Sequence, residues 1–302
     1  MKKLYHFCIS AGNEVMFRSE MDYIRGFNSF AVALARTGSI GLVESFMSTH
    51  FHGCVVTDNI GKLIYHHRTS YSRYFNKKYF RHGPLGEQVP FFIEVVGVFH
   101  RLAALSYTLR NALHHGVSPT PFAYPFNSSN VIFRTELGKP QVTDLLPRNK
   151  FYHTLPDKAE IPEHYKMDKS GLLLRDSVLD VRQVEYFYNT PRNYLFYMNR
   201  LSGEEWEKEQ MREEGEIFTL ETIESGVRMN DISSMLRSEH GRENYGIMSD
   251  LQLCKLIDEH ILPEYGFQSV YQLDTRTKND IANRLWQKYR LSRDKTERCL
   301  VI

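Results

Sequence analysis

The N-terminal part of the chain predicts an α+β sandwich, with helices packed on a mostly antiparallel sheet. Three observations lead there. Short β-branched and aromatic runs alternate with longer segments whose apolar residues recur at three- and four-residue steps. The order of these segments is strand, helix, strand, strand, helix, strand, helix. The 302 residues are 42% hydrophobic, 13% aromatic and 25% charged, a globular composition with room for two domains.

Leu4 to Ser10 reads as the first strand, followed by a turn at Ala11-Gly12-Asn13. Ser19-Glu20-Met21-Asp22 has the early acids of a helix start, and Ile24, Phe27, Phe30, Ala31 and Leu34 fall on one stripe to about Arg36. Thr37-Gly38-Ser39 stops that helix. Ile40 to Met47 and His50 to Thr57 follow as two strands expected to be antiparallel. Gly61 to His82 is an amphipathic helix in which Arg68, Arg73, Lys77, Lys78 and Arg81 interleave with Tyr65, Tyr71, Tyr74, Phe75, Tyr79 and Phe80. Cations of this kind neutralise phosphates and exposed rings stack on unpaired bases, while an apolar stripe builds core. After the loop Gly83-Pro84-Leu85-Gly86, Gln88 to Val98 reads as a strand and Phe99 to His115 as a helix. In that helix Leu102, Leu105, Leu109 and Leu113 define the buried stripe, and Tyr107, Asn111 and His114 share a face nearly opposite.

No apolar run reaches membrane-spanning length, so no membrane partner is expected. Met1-Lys2-Lys3 starts basic but leads into no long apolar region or small-residue cleavage site, which argues against a signal peptide. Cys8, Cys54, Cys254 and Cys299 have no paired spacing; they fit a reducing cytoplasm better than a zinc knuckle or a disulfide framework. Residues 1–150 hold 17 Lys/Arg against 9 Asp/Glu, a net of +8, so the remainder carries −6 of the total +2. A basic N-terminal half suits a phosphate-rich partner.

Within the third strand, His50 and His52 point to one side and Phe51 to the other. Two readings are open: a pair of imidazole ligands for a divalent metal, or two histidines on a solvated strand face.

Five stretches in order decide between them. Tyr5-His6-Phe7 with Gly12-Asn13, Met47-Ser48-Thr49-His50-Phe51-His52, Tyr71-Ser72-Arg73-Tyr74-Phe75-Asn76-Lys77-Lys78-Tyr79, Tyr107-Thr108-Leu109-Arg110-Asn111-Ala112 and Tyr124-Pro125-Phe126-Asn127-Ser128-Ser129 together resemble the single-tyrosine HUH transposases. The match is best to the REP-associated tyrosine transposases and covers roughly residues 4–130. Ala112 departs from the family's proline, which lets the helix continue and removes no ligand. The resemblance implies a ferredoxin-like sandwich with a mainly helical C-terminal region. It implies His50, His52 and Asn111 as ligands of Mg²⁺ or Mn²⁺. Tyr107 would be the nucleophile, and Arg68, Arg73, Lys77, Lys78, Arg81 and Arg110 the DNA contacts. The activity it implies is cleavage and rejoining of single-stranded or hairpin DNA through a 5′-phosphotyrosine. A free tyrosine has a pKa near ~10, so such a site must activate it. The bond energy is kept in the phosphotyrosine, in keeping with the absence of a P-loop pattern.

The chain divides into 1–146, the catalytic domain; 147–230, a linker with an aromatic and acidic helical region; and 231–302, a helical region. Pro147 to His164 is polar, Leu172 to Arg200 aromatic and partly helical, and Gly203 to Glu216 acidic. Thr277 to Tyr289 and Ser292 to Leu300 form two helices around a break at Arg290-Leu291-Ser292. With Arg284, Lys288, Arg290, Arg293, Lys295 and Arg298 they resemble a helix-turn-helix that would contact duplex DNA. Both a monomer and a homodimer are compatible with the sequence. Two other functions compete: a hairpin- or promoter-recognition protein that no longer cuts, and a hydrolase using metal-activated water without a covalent intermediate.

Overall fold

The computed structural model describes residues 1–12, 14–86, 89–200, 208–211, 248–289 and 291–302. Four strands form a fully antiparallel sheet in the order β2-β3-β1-β4: β1 (Lys3–Ser10), β2 (Ile40–Phe46), β3 (His50–Thr57) and β4 (Phe91–Glu94). β1 pairs with β3 from Lys3↔Thr57 to Ser10↔His50, and with β4 from Tyr5↔Glu94 to Cys8↔Phe91. β4 is shorter than its sequence pattern suggests. Pro90 precedes it without an N–H to donate, Gly97 at φ 99° already turns the chain into the next helix, and Gln88 lies outside the described residues.

α1 (Glu20–Thr37) and α2 (Ile60–Tyr79) cover one face of the sheet. α1 begins at a capping box, Ser19 with Asp22, and ends at Gly38 in the left-handed region. Its buried stripe includes Phe27, Phe30, Ala31 and Leu34, with Tyr23 more deeply buried than Ile24. Leu63, His67, Tyr71, Phe75 and Tyr79, four residues apart along α2, meet that stripe and the strand residues Phe7, Ile9, Phe51 and Val55. α2 stops at Phe80, itself left-handed at φ 54°, before the predicted end at His82. Gly53 allows the Phe7 ring to lie flat on β3, since a Cβ there would stand 2.7 Å from that ring.

α3 (Val98–His114) crosses the other face. The leucine stripe packs outward against Val131–Phe133 and two further helices, α5 (Val181–Tyr188) and α6 (Pro191–Asn199), which follow the short α4 (Arg175–Val178). The opposite face, carrying Tyr107 and Asn111, meets the sheet. Both sides of α3 are therefore buried, where a one-sided amphipathic pattern predicted only the leucine side. Residues 124–129 run beside β2 and cover its edge: Phe46 N donates to Phe126 O, Ser128 N to Glu44 O, and Tyr124 Oη to Phe46 O.

The segment 147–164, expected as a polar linker, is pinned to α1. Asn28 Nδ2 donates to Thr154 O and Gly171 O, Arg25 donates to Leu155 O and His153 O, and Phe151 and Leu155 enter the α1–α2 core. Most of the acidic stretch 203–216 lies outside the described residues.

Toward the C-terminus, α7 (Asp250–Leu256) continues through a π-turn and a 3₁₀ turn to Tyr265, followed by α8 (Thr275–Tyr289) and α9 (Arg293–Leu300). Their core of Leu253, Ile257, Leu262, Ile281, Leu285 and Leu300 also takes in Val15 from the loop after β1. Buried Arg18 locks this junction, donating to both carboxylate oxygens of Asp258 at 3.1 and 2.7 Å and to Cys299 O at 2.7 Å.

Candidate active site

The site forms where the α3-facing side chains of β1 and β3 meet α3. On β3 alternate residues point that way, so His50 and His52 do while Phe51 stacks in the opposite core. On β1 the same alternation places His6 beside them, because Cys8 pairs with His52 and His6 with Cys54. From α3, Tyr107 and Asn111 are one turn apart on one face, with His114 a further turn along.

The contacts form two linked pairs. Asn111 Oδ1 lies 3.1 Å from His50 Nε2, and Asn111 Nδ2 donates to Tyr107 Oη at 3.2 Å. His52 Nδ1 lies 3.3 Å from His6 Nε2. Thr49 Oγ1 is 3.1 Å from His50 Nδ1. The His50 and His52 rings are nearly perpendicular, centroids 5.1 Å apart; Tyr107 stands edge-on to His52 at 5.4 Å and stacks on His114 at 5.2 Å. None of His6, His50, His52, Tyr107, Asn111 and His114 is more than 2% exposed.

Burial sets the charge state. It lowers His6 to about 3 and His50 to about 4, the latter partly offset by the bond to Asn111. Burial also drives His52 and His115 well below the usual range, reinforced by the neighbouring histidines. At neutral pH these rings are uncharged, the form that ligates metals.

The donor set fits a divalent cation by its chemistry. A cation replacing the proton between His50 Nε2 and Asn111 Oδ1 would find both donors already aimed at it, with the His52 ring 5.1 Å from that of His50. Among the described residues no group of three His, Cys, Asp or Glu is arranged to hold a metal.

The six basic residues predicted to contact DNA separate. Arg73 and Lys77 are exposed on α2. Lys78 is held by Asp22 and Ser19, each at 2.6 Å, and Arg81 by a two-point pair with Glu14 at 2.5 and 2.8 Å. Arg68 donates to Leu85 O and Gly86 O, and Arg110 is buried at 4% exposure. Lys78, Arg81 and Arg68 are thus each engaged with acceptors of the chain itself. Tyr71, Phe75 and Tyr79 are likewise core, leaving Tyr65 and Phe80 as the exposed large aromatics of the α2 stretch.

Several C-terminal cations are also paired, two of them at the surface. Arg284 pairs with Glu264, Arg293 with Glu297 and Arg298 with Asp250, while Lys295 donates to Met248 O. Lys288 is exposed, Arg290 lies outside the described residues, and polar Thr296 is fully buried with its hydroxyl on Ser292 O.

His6 and His115 were assigned no role from the sequence. His6 was legible only through the β1–β3 register, and His115, whose ring lies 4.8 Å from that of His50, only through the packing of the C-cap of α3 against β3.

No protein-family model and no curated protein matches the chain. Among solved structures it is similar to a REP-associated tyrosine transposase bound to a REP hairpin, with 10% identity and a TM-score of 0.38, over 46% of this chain and 81% of that one. Among the described residues no helix is long and apolar enough to cross a membrane.

Proposed function

We propose that the chain is a metal-dependent nuclease and strand transferase for single-stranded or hairpin DNA, with Tyr107 as its nucleophile. The observation that carries this is the meeting of Tyr107, Asn111 and His50 in one hydrogen-bonded chain, with the His52 ring edge-on to Tyr107, from a helix and a strand more than fifty residues apart.

In this mechanism Asn111 orients the phenol through its Nδ2–H and offers Oδ1 to the cation, so one side chain couples nucleophile and metal. Mg²⁺ or Mn²⁺ on His50, His52 and Asn111 would polarise the scissile phosphate. Tyr107 Oη attacks phosphorus and loses its proton to solvent, the bond to the 3′-oxygen breaks, and that oxygen takes a proton from solvent as it leaves as a 3′-hydroxyl. The 5′-phosphotyrosine is then open to attack by the same or another 3′-hydroxyl, which rejoins DNA without ATP. Of the six basic residues predicted to contact DNA, Arg73 and Lys77 on α2 are the exposed ones, placed to meet the backbone of the incoming strand.

One observation favours a second reading. With Tyr107 2% exposed, a DNA strand reaches the hydroxyl only when the packing above it opens, and a hairpin-recognition protein that never cuts needs no such opening. A denaturing gel separates the two. Purified protein with end-labelled hairpins and Mn²⁺ is expected to give a covalent protein–DNA band that disappears in Tyr107→Phe and with chelator. Cleavage surviving in Tyr107→Phe would point instead to activated water, and tight binding without cleavage to recognition alone.

A further inference from the structure

His6 is fully buried on β1, and its ring stacks on that of His52 with centroids 5.3 Å apart and planes 21° from parallel. Its Nε2 faces His52 Nδ1 at 3.3 Å, while its Nδ1 has no hydrogen-bond partner among the described residues. Glu44, the buried carboxylate of β2, is committed to Arg175 in the other half of the sandwich, and Arg175 lies over the Phe27 ring there. At hydrogen-bond distance from His52 Nδ1 stands another imidazole nitrogen, His6 Nε2.

Resting on the metal reading above, we propose that His6 is a positioning residue that fixes the tautomer and ring plane of His52, so that His52 meets the bound cation through Nε2. A neutral imidazole has one N–H and one lone pair, so two facing ring nitrogens form a hydrogen bond only when one is protonated and the other is not. With both rings in the neutral form that a metal ligand takes, the 3.3 Å approach of the two nitrogens leaves two arrangements. In one, His6 Nε2–H donates to His52 Nδ1; His52 then carries its proton on Nε2 and cannot ligate there. In the other, His52 Nδ1–H donates to His6 Nε2, the His52 Nε2 lone pair is turned toward the cation, and His6 carries its proton on Nδ1. Metal binding selects the second arrangement, and His6 is what makes it stable: it accepts the proton that His52 must keep on Nδ1. Ligating histidines ordinarily donate this proton to a carboxylate or a carbonyl. Here the strand register supplies an imidazole instead.

The shape of His6 and its acceptor can be separated by substitution. His6→Phe keeps a ring in the stack and removes the acceptor; His6→Gln removes the ring and keeps an acceptor near the Nε2 position. Each variant and His52→Ala would be titrated with Mn²⁺ by electron paramagnetic resonance and with Co²⁺ by visible absorption, with circular dichroism checking the fold. Affinity is expected to fall by about 10–100-fold in His6→Phe, as for other supports of metal-bound histidines, and to stay within a few-fold of wild type in His6→Gln. Unchanged affinity in His6→Phe overturns the proposal while the metal reading stands. A wild-type protein that binds neither ion overturns both.

Wild-type protein gives a test that no substitution can spoil. Long-range proton–nitrogen correlation of the imidazoles in the Zn²⁺-loaded protein should place protons on His52 Nδ1 and His6 Nδ1. A proton on His6 Nε2 in that state overturns the proposal.

Discussion

The two faces of the sheet are built from the same strands, alternating residue by residue, yet they differ in kind. Toward α1 and α2, ring packs on ring: Phe46 and Phe51 stack at 4.0 Å, Phe51 stands edge-on to Phe30 at 5.1 Å, and Phe7 edge-on to Phe51 at 5.2 Å. Toward α3, the neighbours of those same residues are His6, His50 and His52, with Tyr107 and Asn111 facing them. Phe51 sits between His50 and His52 in the chain, so a single strand segment serves both. The apolar face holds the strand in place by burying area, which is non-directional. The polar face gains little stability from its hydrogen bonds but is held in a fixed arrangement by the packing behind it.

That contrast can be broken on either side. The largest stability effect is expected from Phe51→Ala, which removes a fully buried ring from the aromatic core and should cost about 3–5 kcal/mol in urea unfolding. Retention of near wild-type stability would mean that this face is not what holds β3. On the opposite face, Asn111→Ala should cost only about 1–3 kcal/mol, chiefly by stranding the groups that face it, yet remove both Mn²⁺ binding and covalent DNA attachment. A variant that keeps its metal affinity would show that Asn111 is not a ligand.

Acid sensitivity sharpens the comparison. His67 lies on the apolar face among Phe30, Phe46 and Phe51, and burial, aided by Arg68, lowers it to about 3 from 6.5. Between those values the unfolded chain binds a proton that the folded chain refuses. The His67 contribution is thus fully present above about pH 6.5 and is lost as pH falls, at up to about 1.4 kcal/mol per unit. His67→Leu should flatten the fall in stability over that window, measured by urea unfolding at a series of pH values, and Mn²⁺ should not alter the flattened part. An unchanged slope would show that His67 takes up its proton in the folded state. The smallest effect is expected from Lys77→Ala, which lies on the surface: stability within about 0.5 kcal/mol, and a salt dependence of DNA affinity shallower by about one ion. An unaltered salt slope would remove α2 from the DNA-contacting surface.

The sandwich was legible because its signals are local. Ser19 and Asp22 announce α1, the apolar, β-prone run through Val56 announces β3, and the amphipathic stretch of cations and aromatics from Gly61 to His82 announces α2. That His50 and His52 share a face, and that Tyr107 and Asn111 share another, also follows from local geometry. Their meeting does not. It depends on α3 lying across β1 and β3, and on α5, α6 and residues 131–133 covering the leucines on its outer side. Nothing in the period of α3 says that both of its faces will be buried.

Charge was the least legible property. Arg68, Lys78, Arg81 and Arg110 carry the same chemistry in the sequence as Arg73 and Lys77. Which of them stays available depends on where Asp22, Glu14 and the carbonyls of Leu85 and Gly86 end up. Asp22 alone takes the Tyr74 and Tyr79 hydroxyls and the Lys78 ammonium, from residues more than fifty positions away. The sequence by itself determined the strands, the helices and the side to which each residue points, because backbone periodicity is set by neighbouring residues. Only the tertiary structure decided which polar groups meet, because a buried charge or imidazole takes the partners that folding brings to it.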